Sequence, residues 1–162
     1  MKWLAATLLL TATAASAPGA VLFAGGGWAA IDRGAVCEAL SRSAKVAPKG
    51  KVQATAGFAF SPDRRRWGEF HARLSRVPRA GSSVLLTVGE QPFMLVAGGG
   101  WAWSRGPAQE QAIIAALRGS AGMRVEARDG AGRRFVDPYA LDGAATAIDA
   151  AAARCAGKSA PR

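Results

Sequence analysis

Cys37, Cys155, His71 and six arginines between Arg64 and Arg79 are the side chains of this sequence best suited to bond formation, proton transfer or ion binding. The cysteines admit one intramolecular pairing, and in an oxidising compartment it closes a loop of more than 100 residues. In the chain-entropy account such a closure contributes up to about 4–5 kcal/mol. The rival chemistry is a thiolate nucleophile, which needs a neighbouring base or positive field. His71 is the single imidazole in the sequence. A structural disulfide between Cys37 and Cys155 is therefore expected.

A serine hydrolase needs a nucleophile, a base and an orienting acid within reach of one another. His71 lies between Glu69 and Arg73 in an alternating segment and reads as a polar-face residue. Arg118-Gly-Ser-Ala-Gly122 lacks the first glycine of a nucleophile elbow, and its glycines read as the end of a helix. Eleven acids, scattered over turns and helix ends, single out no pair for glycoside hydrolysis. Gly130-Ala-Gly132 has neither the third glycine nor the strand-to-helix setting of a dinucleotide loop. One His and two Cys are too few for a conventional zinc site. No catalytic residue, metal site or cofactor is assigned, and the chain reads as a non-enzyme. The alternative is a periplasmic hydrolase or hydrolase inhibitor with an unrecognised site.

The charge is the property with functional content. Twenty-one basic residues against 11 acidic ones leave a net +10. Arg64, Arg65, Arg66, Arg73, Arg76 and Arg79 fall within sixteen residues and form a candidate anion-binding cluster. Their forked donors suit lipid headgroups or the phosphates of lipopolysaccharide. On an extended strand Arg73 projects with His71 and Glu69, while Arg76 takes the other register unless a bulge intervenes near Pro78. The competing reading is a solvated face set by coding bias: there are 38 alanines, and 16 arginines stand against 5 lysines. Both readings stay open. Nucleic acid is disfavoured, because no aromatic-interleaved platform accompanies the charge.

Lys2 followed by an apolar run from Trp3 to Ala15, then Ser16, Ala17 and Gly19, has the order of a secretory signal peptide. The cut is expected between residues 16 and 20, leaving 20–162 as one domain. The run is shorter than the roughly 20 residues that cross a bilayer, and no second such stretch follows, so no membrane segment is expected after cleavage. The expected location is periplasmic or secreted.

Along residues 20–162, strand-like runs punctuated by Gly, Pro and Asp predominate. Trp28–Ile31 and Val36–Leu40 flank a turn at Asp32-Arg-Gly34, and Lys51–Phe60 is extended. Ser61–Arg66 is a polar loop before the alternating Trp67–Val77. Val84–Val88 and Phe93–Val96 follow, and Asp129-Gly-Ala-Gly132 joins Met123–Arg128 to Arg133–Val136 as a hairpin. Pro107–Leu117 reads as a helix with Pro at its start and Gly119 past its end. A second helix runs from about Gly143 to Cys155, with Asp142 as its cap. Its apolar stripe is Leu141, Ala145, Ile148, Ala152 and Cys155. About eight strands, one inserted helix and a C-terminal helix imply a mostly β fold, most naturally a β-sandwich. Ala24-Gly-Gly-Gly-Trp-Ala29 recurs as Ala97-Gly-Gly-Gly-Trp-Ala102 and reads as two similar bends, each Trp plugging a core edge.

Asp137-Pro-Tyr-Ala-Leu-Asp-Gly143, running through an alanine-rich helix to Cys155, resembles the terminal segment of the invasion-associated locus B family of bacterial envelope proteins. Met123-Arg-Val-Glu-Ala with Gly132, Gly100-Trp-Ala-Trp103, Gly81-Ser-Ser-Val84, Phe93-Met-Leu95 and Trp28 before Cys37 follow the family's order. Trp28, Asp137, Tyr139, Leu141 and Gly143 are the motif positions, read as structural. Pro138 and Ala140 depart from the usual Thr and Ser, and Arg64-Arg-Arg66 replaces a customary Arg-Pro. The resemblance implies an immunoglobulin-like sandwich, a periplasmic or surface location and no known enzymatic activity; with the Arg-rich loop, the expected role is binding of an unknown protein or an anionic envelope component.

Overall fold

A computed structural model describes residues 19–158. The leader expected over residues 1–19, Gly19 excepted, lies outside them. Ten strands and two helices follow one another. They are β1 (Ala20–Gly25), β2 (Trp28–Asp32), β3 (Cys37–Arg42), β4 (Thr55–Phe60), β5 (Trp67–Arg73), β6 (Val84–Val88), β7 (Gln91–Gly98), β8 (Trp101–Trp103), α1 (Pro107–Arg118), β9 (Gly122–Arg128), β10 (Arg134–Ala140) and α2 (Ala144–Ala156). All strand pairs are antiparallel, in the order β1-β2-β3-β4-β5-β8-β7-β6-β9-β10. The chain is mostly β, as the punctuated sequence predicts.

β7 pairs with β6 through Gln91–Leu95 and with β8 through Val96–Gly98, so one strand joins the two halves of the sheet. Both halves feed one core, where Phe58, Phe70, Leu86, Val125, Phe135 and Ile148 belong to the same buried cluster. Phe70 meets Phe58 edge-on at 5.4 Å, a favoured aromatic arrangement. Trp28 Nε1 donates to the Ala140 carbonyl at 2.9 Å, tying β2 to the end of β10.

Cys37 and Cys155 form the expected disulfide, with Cα atoms 5.8 Å apart and both residues fully buried. The bond fastens α2 to β3. Asp32, the register partner of Cys37, accepts Arg154 Nε at 2.6 Å and is also bonded by Lys158. These donors hold its carboxyl well below the usual carboxylate range.

Several expectations need correction. Ten strands replace eight, because the edge strand β1 and the three-residue β8 are added. The two Gly-Gly-Gly-Trp segments are matching hairpin turns: Gly25 pairs with Trp28, and Gly98 with Trp101. Trp28 is a core residue, but Trp101 is 40% exposed and plugs nothing. The opposite orientation follows from strand alternation, since Ala102 rather than Trp101 takes the inward place on β8.

α2 begins at Gly143 in the left-handed conformation, without a side-chain cap, so Asp142 is not its cap. At Gly143 a side-chain Cβ would stand 2.3 Å from the Gly25 carbonyl oxygen, and at Gly26 it would stand 2.3 Å from that of Asp142. The β1–β2 turn and the start of α2 therefore touch backbone to backbone. The buried face of α2 is Ala144, Ala147, Ile148, Ala151 and Cys155, with Ala145 and Ala152 on its half-buried flanks. Ile148 and Cys155 are common to the expected and observed faces, and Ala144, Ala147 and Ala151 take the buried places expected of Ala145 and Ala152.

Candidate functional site

Register dictates what each face of β2 to β8 carries. Trp28, Ala30, Cys37, Ala39, Phe58, Phe70, Ala72 and Ala102 point into the core, on the side that α2 covers. The opposite face is built from the residues between them. Its first row is Arg42, Thr55, Arg73 and Trp101, one from each of four successive strands in the sheet. The next row is Leu40, Gly57, His71 and Trp103, and beyond it stand Glu38, Ala59 and Glu69.

From these rows Arg42, Thr55, Arg73, Trp101, Leu40, His71 and Glu38 line a groove of about 1030 Å³, whose lining also includes the β1–β2 turn and Arg33. Trp101 and Trp103 project on one side of β8 with ring centroids 6.4 Å apart and planes inclined by 17°. Among the described residues, Arg42 and Arg73 have no acidic partner within salt-bridge distance, and both are exposed. At the other end Glu38 is neutralised by Arg33. The groove therefore has two free cations and an aromatic surface at one end and a compensated ion pair at the other.

His71 corrects an expectation. It projects on the polar side of β5 but is only 7% exposed, because Gly57 beside it has no side chain and the ring settles into the space. Burial pushes the imidazole below its ordinary pKa, against the opposing pull of Glu38. Its Nε2 lies 3.8 Å from Glu38 Oε1, beyond hydrogen-bond reach. Ser41, the groove's serine, gives its hydroxyl to the Gly27 carbonyl at 2.9 Å. This arrangement places neither a nucleophile on the imidazole nor an acid in bonding contact with it.

The six arginines nominated from the sequence are divided by the seven-residue β5. At ~3.3 Å per residue the strand sets Arg66 and Arg73 about 23 Å apart. Arg64, Arg65 and Arg66 sit in the β4–β5 loop. There Arg64 lies 3.8 Å over the Trp67 ring, Arg65 is 3.6 Å from Asp63, and Arg66 binds Glu69 at 2.6 Å. At the other end Arg76 pairs with Asp129 at 2.9 Å, whereas Arg79 extends from a loop held by its own backbone bond to Arg128. Arg73 alone of the six belongs to the groove.

The motif positions bind the fold together. Asp137 is 1% exposed, and its Oδ2 accepts the Ser75 backbone N–H at 2.9 Å, fixing the chain just past β5. Asp137 lines a second cleft of about 680 Å³ between the 45–52 loop, Arg76 and the 129–133 turn. Tyr139 and Leu141 are buried, and burial raises the Tyr139 phenol far above its ordinary pKa. The residues missed as site candidates from sequence are Arg42, Thr55, Trp101 and Trp103. The alternation of β3 carried a faint signal for Arg42, but only strand pairing sets it beside Arg73.

Comparison with protein-family models, curated proteins and solved structures finds no match to this chain. The groove is therefore read from its own chemistry. Among the described residues, no helix is long and apolar enough to cross a membrane, and no group of three or more His, Cys, Asp or Glu side chains is placed to hold a metal ion.

Proposed function

We propose that this chain is an exported, non-enzymatic binding module of the invasion-associated locus B kind. In this reading it is an immunoglobulin-like sandwich that holds an anionic envelope or host component on the uncovered face of its sheet. One observation carries the reading: Arg42 and Arg73 flank Thr55 in a row that ends on the exposed Trp101, with no acid to neutralise either guanidinium among the described residues. Forked, permanently charged donors beside an aromatic ring form a recognition surface for carboxylate or phosphate. The buried Cys37–Cys155 disulfide supports maturation in an oxidising compartment, periplasmic or extracellular.

In this reading the anion contact lies at Arg42 and Arg73 instead of the Arg64–Arg66 loop, whose cations already lean on Trp67, Asp63 and Glu69. The test is retention of the oxidised protein on immobilised lipopolysaccharide and on phosphatidylglycerol vesicles. Replacing Arg42 and Arg73 by Ala is expected to weaken retention by about tenfold or more, equivalent to ~1.4 kcal/mol. Replacing Arg64, Arg65 and Arg66 is expected to change it by less than about threefold, as for partly exposed, already paired charges. Loss in the triple variant with retention in the double variant would overturn the assignment.

A further inference from the structure

We propose that the occupant of the groove is an acidic oligosaccharide, with one sugar ring packed on Trp101 and its anionic groups held by Arg42 and Arg73. The inference rests on the uncovered face being the binding surface and adds the chemical class of what binds there. Trp101 is the decisive residue. It is 40% exposed at the groove margin, and its ring runs nearly parallel to that of Trp103 at 6.4 Å. An indole held open beside polar groups offers a flat apolar surface with a wet edge. The C–H face of a pyranose matches that surface, while its hydroxyls need polar neighbours.

Those neighbours are present. Arg73 is the direct register partner of Trp101, and Thr55 stands between Arg73 and Arg42 in the same row. Arg42 and Arg73 stand two strand spacings apart, about 10 Å at their Cα atoms. Two separated cations suit the repeated charges of a polymer better than a single anion. The groove volume, about 1030 Å³, lies at the upper end of the roughly 300–1,000 Å³ typical of small-molecule sites. A short chain of rings fills such a space; one monosaccharide does not. A lipid surface fits less well, because the aromatic face lines a concavity and the flanking groups are hydrogen-bonding.

The test is titration of the oxidised full-length mature chain with tetragalacturonate, with a neutral tetrasaccharide (cellotetraose) and with phosphatidylglycerol vesicles, followed by calorimetry and tryptophan emission. Tetragalacturonate is expected to bind with a shift in emission, and cellotetraose at least about tenfold more weakly. Trp101→Ala is expected to reduce tetragalacturonate affinity by about tenfold or more, and Trp101→Phe to restore most of it. An unchanged melting temperature in both variants keeps the loss assigned to contact with ligand. Vesicle binding without tetragalacturonate binding overturns the saccharide inference and leaves anion recognition by the face intact. Equal affinity for both saccharides, or full affinity in Trp101→Ala, also overturns it. Failure of every probe overturns the binding face itself.

Discussion

Trp28 and Trp101 occupy the same place in two Gly-Gly-Gly-Trp hairpins yet face opposite sides of the sheet. Trp28 is 2% exposed and bonded to the Ala140 carbonyl; Trp101 is 40% exposed beside Arg73. One is a core residue, and the other belongs to the proposed binding face. Trp28→Ala is expected to destabilise the protein by about 3–5 kcal/mol, since it empties a core site. Trp101→Ala is expected to change stability by less than about 0.5–1 kcal/mol. Urea denaturation of the two variants under oxidising conditions checks the contrast, and equal losses would remove the distinction.

The disulfide closes a separation of 118 residues and anchors α2 at its C-terminal end. Replacing both cysteines by Ala is expected to cost about 2–5 kcal/mol of stability. Thermal unfolding of oxidised wild type beside the double variant measures it. A shift of less than about 2 °C would show that α2 is held by its packed alanine face and the Asp32 ion pairs alone.

Gly143 fixes the approach of α2 to the β1–β2 turn. It has φ 80°, and an added Cβ would meet the Gly25 carbonyl oxygen at 2.3 Å. Gly143→Ala is therefore expected to destabilise by about 2 kcal/mol or more, combining left-handed strain with backbone overlap. Gly99→Ala is the control: its φ of 58° carries the strain, but open space surrounds the added methyl. A larger loss at Gly99 than at Gly143, measured by denaturant midpoints, would contradict the close-approach account.

His71 supplies a pH signature. Burial lowers its pKa in the folded state, so the unfolded chain binds the proton more readily. Its contribution to stability is complete above the unfolded value of about 6.5 and is lost as pH falls through the depressed folded value. Among the neighbours, Glu38 and the Glu69 carboxylate oppose the shift and Arg66 adds to it. Stability is expected to decline in the interval below about pH 6.5 in wild type. His71→Gln should flatten that interval. The check is a series of chemical denaturations across the range, and an identical slope in the variant would exclude His71 as the cause.

The reach of sequence reading follows from which signals are local. The disulfide, the Asp129–Gly132 hairpin and both helices were legible because pairing count, turn chemistry and terminal Pro or Gly act over a few residues. β1 was hidden shortly after the apolar run Trp3–Ala15, and β8 spans too few residues to show a period. The arginine cluster looked continuous along the chain, but β5 carries Arg66 and Arg73 to opposite ends. Arg42, Thr55, Arg73 and Trp101 come from four strands, so only register unites them. No local pattern encodes that row. Likewise His71 had the alternation of a solvated residue, and the absent side chain of Gly57 on the next strand is what allows it to be buried.

The proposed anion contact is made by the free cations of the uncovered face, Arg42 and Arg73. Its most direct test is calorimetric titration of lipopolysaccharide at 50 mM and 300 mM NaCl into wild type, the Arg42→Ala/Arg73→Ala variant and the Arg64→Ala/Arg65→Ala/Arg66→Ala variant. Wild type and the triple variant should bind alike and lose affinity together as salt screens the charges, while the double variant binds weakly at both salt concentrations. Wild-type affinity and wild-type salt dependence in the double variant would contradict the account.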